Sequence, residues 1–115
     1  RAKAAVMFTV QERFRRPTYQ VFGDVTITGW NKVTNRPGEI HKLAALFFLY
    51  GFYDQEANHF TDWVILNTAV FMLALVQGDL DYTMSTNPRS HQVFVNLTRL
   101  DLRAIPGAVV MEVSA

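Results

Sequence analysis

Two runs in the middle of the chain, Leu43 to Tyr50 and Val64 to Val76, are apolar on nearly every side. The polar stretch GFYDQEANHFTDW, Gly51 to Trp63, holds them apart. Neither run shows the stripe of a surface helix, so a helix built from either must be buried all round or lie in lipid. A membrane span needs ~20 apolar residues, whereas runs of ~10–14 belong more often to buried helices. Both runs fall in the shorter class. The expectation is an apolar helical middle region over residues 39–78.

On either side the pattern changes to period two, the mark of half-buried strands. From Tyr19 to Gly29 the odd positions read Tyr19, Val21, Gly23, Val25, Ile27 and Gly29, and Val6, Phe8 and Val10 share a face in the same way. Pro37 and Gly38 break the chain within TNRPGE, Thr34 to Glu39. Towards the carboxyl end Val93, Val95 and Leu97 lie on one face, and then Leu100, Leu102 and Ala104 take over from the other register. A one-residue flip near Thr98 is what a β-bulge produces, and it places Arg99, Asp101 and Arg103 together on the outward face. The stretch IPGA, Ile105 to Ala108, suits a type II turn with Gly107 at positive φ. Val109, Met111 and Val113 alternate after it, so residues 92–113 read as a hairpin.

Strands, then helix, then strands predict an α+β fold in a single domain, residues 1–115. Its antiparallel sheet has strands near 5–11, 19–30, 91–104 and 108–113, packed on the helical middle. An alternative comes from AVFMLALVQGDLDYTMSTNPRSHQVFV, which also reads as two long strands joined across Ser85 to Ser90. A strand ending near QGDLDYTM, a loop with Asn87-Pro88 and a further strand resemble viral jelly-roll coat proteins over about a quarter of the chain. That resemblance rests on no diagnostic motif. It would imply a mostly-β sandwich or jelly-roll-like fold, for which eight strands are needed.

Composition bears on function. Half of the 115 residues are apolar, 13% are aromatic and only 18% are charged, against ~25% charge in an average protein. That surplus exceeds what one modest core absorbs and has to go to a partner chain, a ligand or a lipid phase. The leading expectation is a non-catalytic structural or assembly subunit of the coat- or complex-forming kind. It would pair with other protein subunits as a homo- or hetero-oligomer, using Leu43, Leu46, Phe47, Phe48, Trp63 and Phe71 as interaction residues. A second reading is a short single-span accessory subunit of a membrane complex, with Trp63 to Gln77 as the span and Trp63 at the interface. A third is a small metal-binding enzyme using the polar stretch.

In that stretch Glu56-x-x-His59 has the i, i+3 spacing of di-iron carboxylate bundles, with Asp54 and Asp62 able to add oxygen ligands. Such bundles need two motifs and two further carboxylates, and this chain has one motif. A solvated helix–helix corner is the simpler reading, with Asp62 capping a helix that starts at Trp63. His41, His59 and His91 are far apart, and no HExxH, GxSxG, Walker loop or GxGxxG is present. Asp81, Ser85, Ser90 and His91 supply the residue types of a triad, but triads are defined by geometry. The chain has no cysteine, which excludes disulfides, thiolate catalysis and zinc–thiolate sites within it. No cofactor is singled out.

The net charge of +1 gives no global field for nucleic acid. Residues 1–20 nevertheless hold Arg1, Lys3, Arg13, Arg15 and Arg16 against Glu12 alone. This reads as a solvated basic end, with Arg13, Arg15 and Arg16 as candidate phosphate contacts to nucleic acid. Arg1 in place of Met reads as a processed, trimmed or engineered start, and Ala4 to Val10 is too short for a signal peptide. Asn96-Leu97-Thr98 is a glycosylation sequon within a strand-like run.

Overall fold

Strands dominate the computed structural model, which describes residues 10–15, 24–54 and 59–113. The chain is a mixed α+β fold of two sheets and two short helices. Sheet A holds β1 (Val10–Arg15), β3 (Phe47–Asp54), β4 (His59–Asn67) and β7 (Val109–Val113), in the order β1-β3-β4-β7. β3, β4 and β7 run antiparallel, and β1 lies parallel to β3 on the edge. Sheet B is antiparallel, in the order β2-β6-β5, from β2 (Asp24–Asn31), β5 (Thr83–Thr86) and β6 (Gln92–Thr98).

One core joins the two sheets. Phe48, Tyr50 and Phe52 of β3 and Val64 and Leu66 of β4 meet Val25 and Ile27 of β2 and Val95 and Leu97 of β6 in a single buried cluster. Tyr50 stands edge-on to both Phe48 and Phe52, with ring centroids 6.2 and 5.9 Å apart, the arrangement that aromatic quadrupoles favour. Phe71 and Ala74 of helix α1 (Thr68–Gln77) and Leu102 of helix α2 (Arg99–Ala104) join the cluster, with Ile40, Leu80 and Ala108.

The apolar helical middle predicted over 39–78 is not what forms. Residues 39–42 make a single 3-10 turn, Leu43–Tyr50 runs into β3, and Val64–Asn67 ends β4. Only Thr68–Gln77 is helix. Phe47, Phe48 and Tyr50 in the first run, and Val64 and Ile65 at the start of the second, suit a pleated surface better than a helix. A strand apolar on both faces shows no alternation, so periodicity does not separate it from a buried helix. Helix α1 begins where Asn67 Oδ1 accepts the Val70 N–H at 3.2 Å. It ends at Gly78, left-handed at φ 79°. With Trp63 to Asn67 in β4, Trp63 to Gln77 is not one continuous helix. Among the described residues no helix is long and apolar enough to cross a membrane.

Other expectations shift at their ends. The strand predicted near 19–30 is described from Asp24, and of the one near 5–11 only Val10 and Gln11 lie among the described residues, in β1. The predicted strand 91–104 stops at Thr98. The register flip there is a strand-to-helix boundary, not a bulge, because Thr98 Oγ1 accepts the Asp101 N–H at 3.1 Å and starts α2. The turn at Pro106-Gly107 forms as expected, with Gly107 at φ 80° and Ala108 N–H bonded to Ile105 at 3.1 Å. It does not close a hairpin. β7 leaves sheet B behind and pairs with β4 in sheet A.

Candidate interaction surface

Directly opposite residues of an antiparallel pair point to the same face. The register of sheet A therefore sorts its side chains without ambiguity. Inward lie Phe48, Tyr50 and Phe52, with Asp62, Val64 and Leu66 across from them. Outward lie two rows that cross three strands: Leu49–Ile65–Met111 and Gly51–Trp63–Val113. Phe47 extends the outer face opposite Asn67. No described position in the two rows is charged. Met111 and Val113 are 59% and 45% exposed, and Phe47, Leu49, Trp63 and Ile65 are partly exposed. Gly51 is required by its place in the second row, since a Cβ there would stand 2.8 Å from both Trp63 Cβ and Asp62 O.

The six sequence-predicted interaction residues divide accordingly. Phe47 and Trp63 sit on the outer face of sheet A. Phe48 and Phe71 are 0% exposed and belong to the chain's own core, which corrects their assignment to a partner. Leu43 packs against that core, while Leu46 is exposed. Leu43 and Leu46 line a shallow recess with Ala69 and Met72 of α1. Sequence reasoning missed Leu49, Ile65, Met111 and Val113. The alternation of Val109, Met111 and Val113 was visible, but Met111 and Val113 turn away from the core rather than towards it.

The polar stretch is not a helix–helix corner. Its residues 51–54 belong to β3 and 59–63 to β4, with Asp54 and His59 paired across the two strands. Gln55 to Asn58, including the metal candidate Glu56, lie outside the described residues. His59 opens a strand, so the helical i, i+3 spacing does not apply at its position. Among the described residues no group of three His, Asp or Glu is placed to hold a metal ion. Of the basic candidates, Arg13 and Arg15 fall in β1 opposite Tyr50 and Phe52, and Arg16 lies outside the described residues. Asn96 of the sequon is paired into β6, its amide bonded to Ser85 at 3.1 Å.

Asp62 caps no helix. It lies in β4 opposite Phe52, only 7% exposed, and forms an ion pair with Arg99 at the start of α2. One helical turn on, Arg103 donates its Nε–H to both carboxylate oxygens of Glu112 in β7, at 2.8 and 3.0 Å. The i, i+4 spacing of the two arginines thus serves carboxylates on adjacent strands. Arg99 and Arg103 do not share an outward face, and Arg103 pairs with Glu112 rather than Asp101. The Arg103 guanidinium holds the Glu112 carboxyl below its ordinary value, and the same hydrogen bond raises Arg103. This corner carries charge on the inner side of sheet A, whereas the two outer rows across β3, β4 and β7 carry none; at the β1 edge Glu12 stands in register with Leu49. No protein-family model, curated protein or solved structure matches the chain.

Proposed function

We propose that this chain is a non-catalytic assembly subunit that covers the outer face of sheet A with a partner chain. One observation carries the reading: an antiparallel sheet with one face on the core ordinarily turns polar residues to water on the other, and the Leu49–Ile65–Met111 and Trp63–Val113 rows do not. Contiguous exposed apolar surface of this kind marks interaction sites, and each Å² removed from water contributes ~25 cal/mol. Around one shared core, the two sheets and their seven described strands favour a sandwich-like architecture over a sheet stacked on helices.

Light scattering after size-exclusion chromatography tests the assembly reading. The full chain at micromolar concentration is expected to elute above the mass of a single chain, with or without detergent. Replacing Leu49 and Ile65 together by Ser is expected to lower that mass. A monodisperse single chain in plain buffer would remove the support for self-association.

A further inference from the structure

We propose that the recess at one end of sheet B binds a compact phosphate-bearing anion. The recess, ≈ 620 Å³, lies between the end of β2 and the 3-10 turn and is lined by Thr28, Asn31, Arg36, Lys42 and Gln92, with Glu39 beside them. Such a volume is in the range of small-molecule sites, ~300–1,000 Å³. Charge is concentrated here. Residues 31–42 and 87–92 hold Lys32, Arg36, Lys42 and Arg89 against the single carboxylate Glu39, in a chain whose net charge is only +1. The two ion pairs among the described residues lie elsewhere, at Asp62–Arg99 and Arg103–Glu112. Among the described residues neither ion pair engages Arg36 or Lys42, which line the recess.

The walls are fixed before any ligand arrives. Lys32 N–H donates to His91 O at 2.9 Å, and Asn31 Nδ2 donates to Ser90 O at 3.0 Å, which ties the loop after β2 to the loop before β6. Gly38 N–H bonds Gly29 O at 2.8 Å, and a Cβ on Gly38 would stand 2.4 Å from Thr28 O, so only glycine allows this approach. Asn35 at φ 58° and His91 at φ 60° are the two non-glycine residues with positive φ among those described, and they sit in these two loops. Backbone held in sparse regions by its surroundings is a feature of ligand sites, and a rigid site spends less of its binding energy on ordering itself. The Arg36 guanidinium presents a planar fork that matches phosphate oxygens, and Lys42 adds a point charge.

Titration of the isotope-labelled full chain with inorganic pyrophosphate at low salt, read by amide chemical shifts and calorimetry, tests the site. Saturable shifts centred on Arg36, Lys42 and Gln92 are expected. Arg36→Ala with Lys42→Ala should weaken binding about tenfold or more, and Glu39→Gln should tighten it severalfold, since a like charge is removed. Parallel arms use a short single-stranded oligonucleotide and anionic vesicles. Binding in either arm without saturation by pyrophosphate up to ~20 mM would overturn the proposal. So would pyrophosphate binding that the Arg36 and Lys42 changes leave intact. Should the double variant fold poorly, the wild-type shift map decides, and shifts centred away from the recess count against it.

Discussion

Sheets A and B share one core but meet their surroundings in opposite ways. The outer face of sheet B follows the rule for a solvent-facing antiparallel sheet. Thr26 Oγ1 donates to Asn96 Oδ1 at 3.1 Å and Asn96 Nδ2 donates to Ser85 Oγ at 3.1 Å, a polar ladder that crosses all three strands. Thr28 and Gln92 continue that face, with Phe94 its one large apolar member. At the equivalent positions of sheet A stand Leu49, Ile65, Met111, Trp63 and Val113. The same molecule therefore contains its own reference for what a finished sheet surface looks like, and sheet A departs from it. The apolar surplus is not confined to this face, since Val33, Leu73, Val76, Met84 and Leu100 are exposed elsewhere; what sets sheet A apart is that its outer apolar residues stand in register across three strands.

The largest effect should come from the inner face of sheet A. Phe48→Ala is expected to cost about 3–5 kcal/mol in urea unfolding, the scale for deleting a large side chain from a packed core. Asp62→Ala should be of similar size, about 3–5 kcal/mol, because it leaves Arg99 buried without its carboxylate. A mild outcome for Asp62→Ala would mean that water reaches Arg99 and that the inner face is less closed than its burial indicates.

Gly51→Ala comes next, and it tests the spacing between the strands that carry the outer face. The added methyl meets Trp63 Cβ and Asp62 O at 2.8 Å. Overpacking of this kind costs about 1–3 kcal/mol. Gly51→Ala combined with Trp63→Gly should lose less than the sum of the two single changes, since the Trp63 Cβ is then gone. Strict additivity in denaturant unfolding would show that Gly51 is not selected by Trp63.

Which parts of this were legible in the sequence depends on range. Local chemistry was readable: the alternation of Val25 and Ile27 placed β2, that of Val93, Val95 and Leu97 placed β6, and Pro106-Gly107 made the expected turn. The middle was not, because Phe47 to Tyr50 and Trp63 to Leu66 are apolar on both sides of their strands and leave no period to read. Their aromatic and β-branched content was the available signal. Thr98 with Asp101 three residues on was also a readable helix start. What no local pattern carries is the destination of β7, the pairing of Asp62 with Arg99, or the convergence of the loops at Asn35 and His91. The recess at Arg36 and Lys42 was invisible for the same reason.

On the outer face the expected effect on single-chain stability is smaller again. Leu49→Ser with Ile65→Ser should stay within about 1 kcal/mol each in denaturant unfolding at low concentration, as changes at partly exposed positions usually do. The concentration dependence of the melting temperature should fall with them, because a partner that binds only the folded chain stabilises it by mass action. Losses as large as that of Phe48→Ala would mean that this face already packs on the chain itself, and sheet A would then need no partner.

The smallest effect belongs to Glu112, and its sign is set by Arg103. The guanidinium holds the Glu112 carboxyl below its ordinary value of 4.5 in the folded chain. The ionised form is thus favoured by folding, so the pair stabilises the fold above that value. The contribution should fade as pH drops below 4.5 and passes through the lower, folded value. Glu112→Gln should therefore melt slightly below wild type at neutral pH, and the two melting curves should converge in acid. Arg103 is half exposed, so water screens the pair and keeps the difference small. Asp62 and Arg99, shielded at the other end of α2, make the contrast: the inner charge is structural because it is buried, the outer one is an ordinary rim contact. A gap between Glu112→Gln and wild type that persists unchanged well below pH 4.5 would show that shape, not charge, makes Glu112 matter at the edge of sheet A.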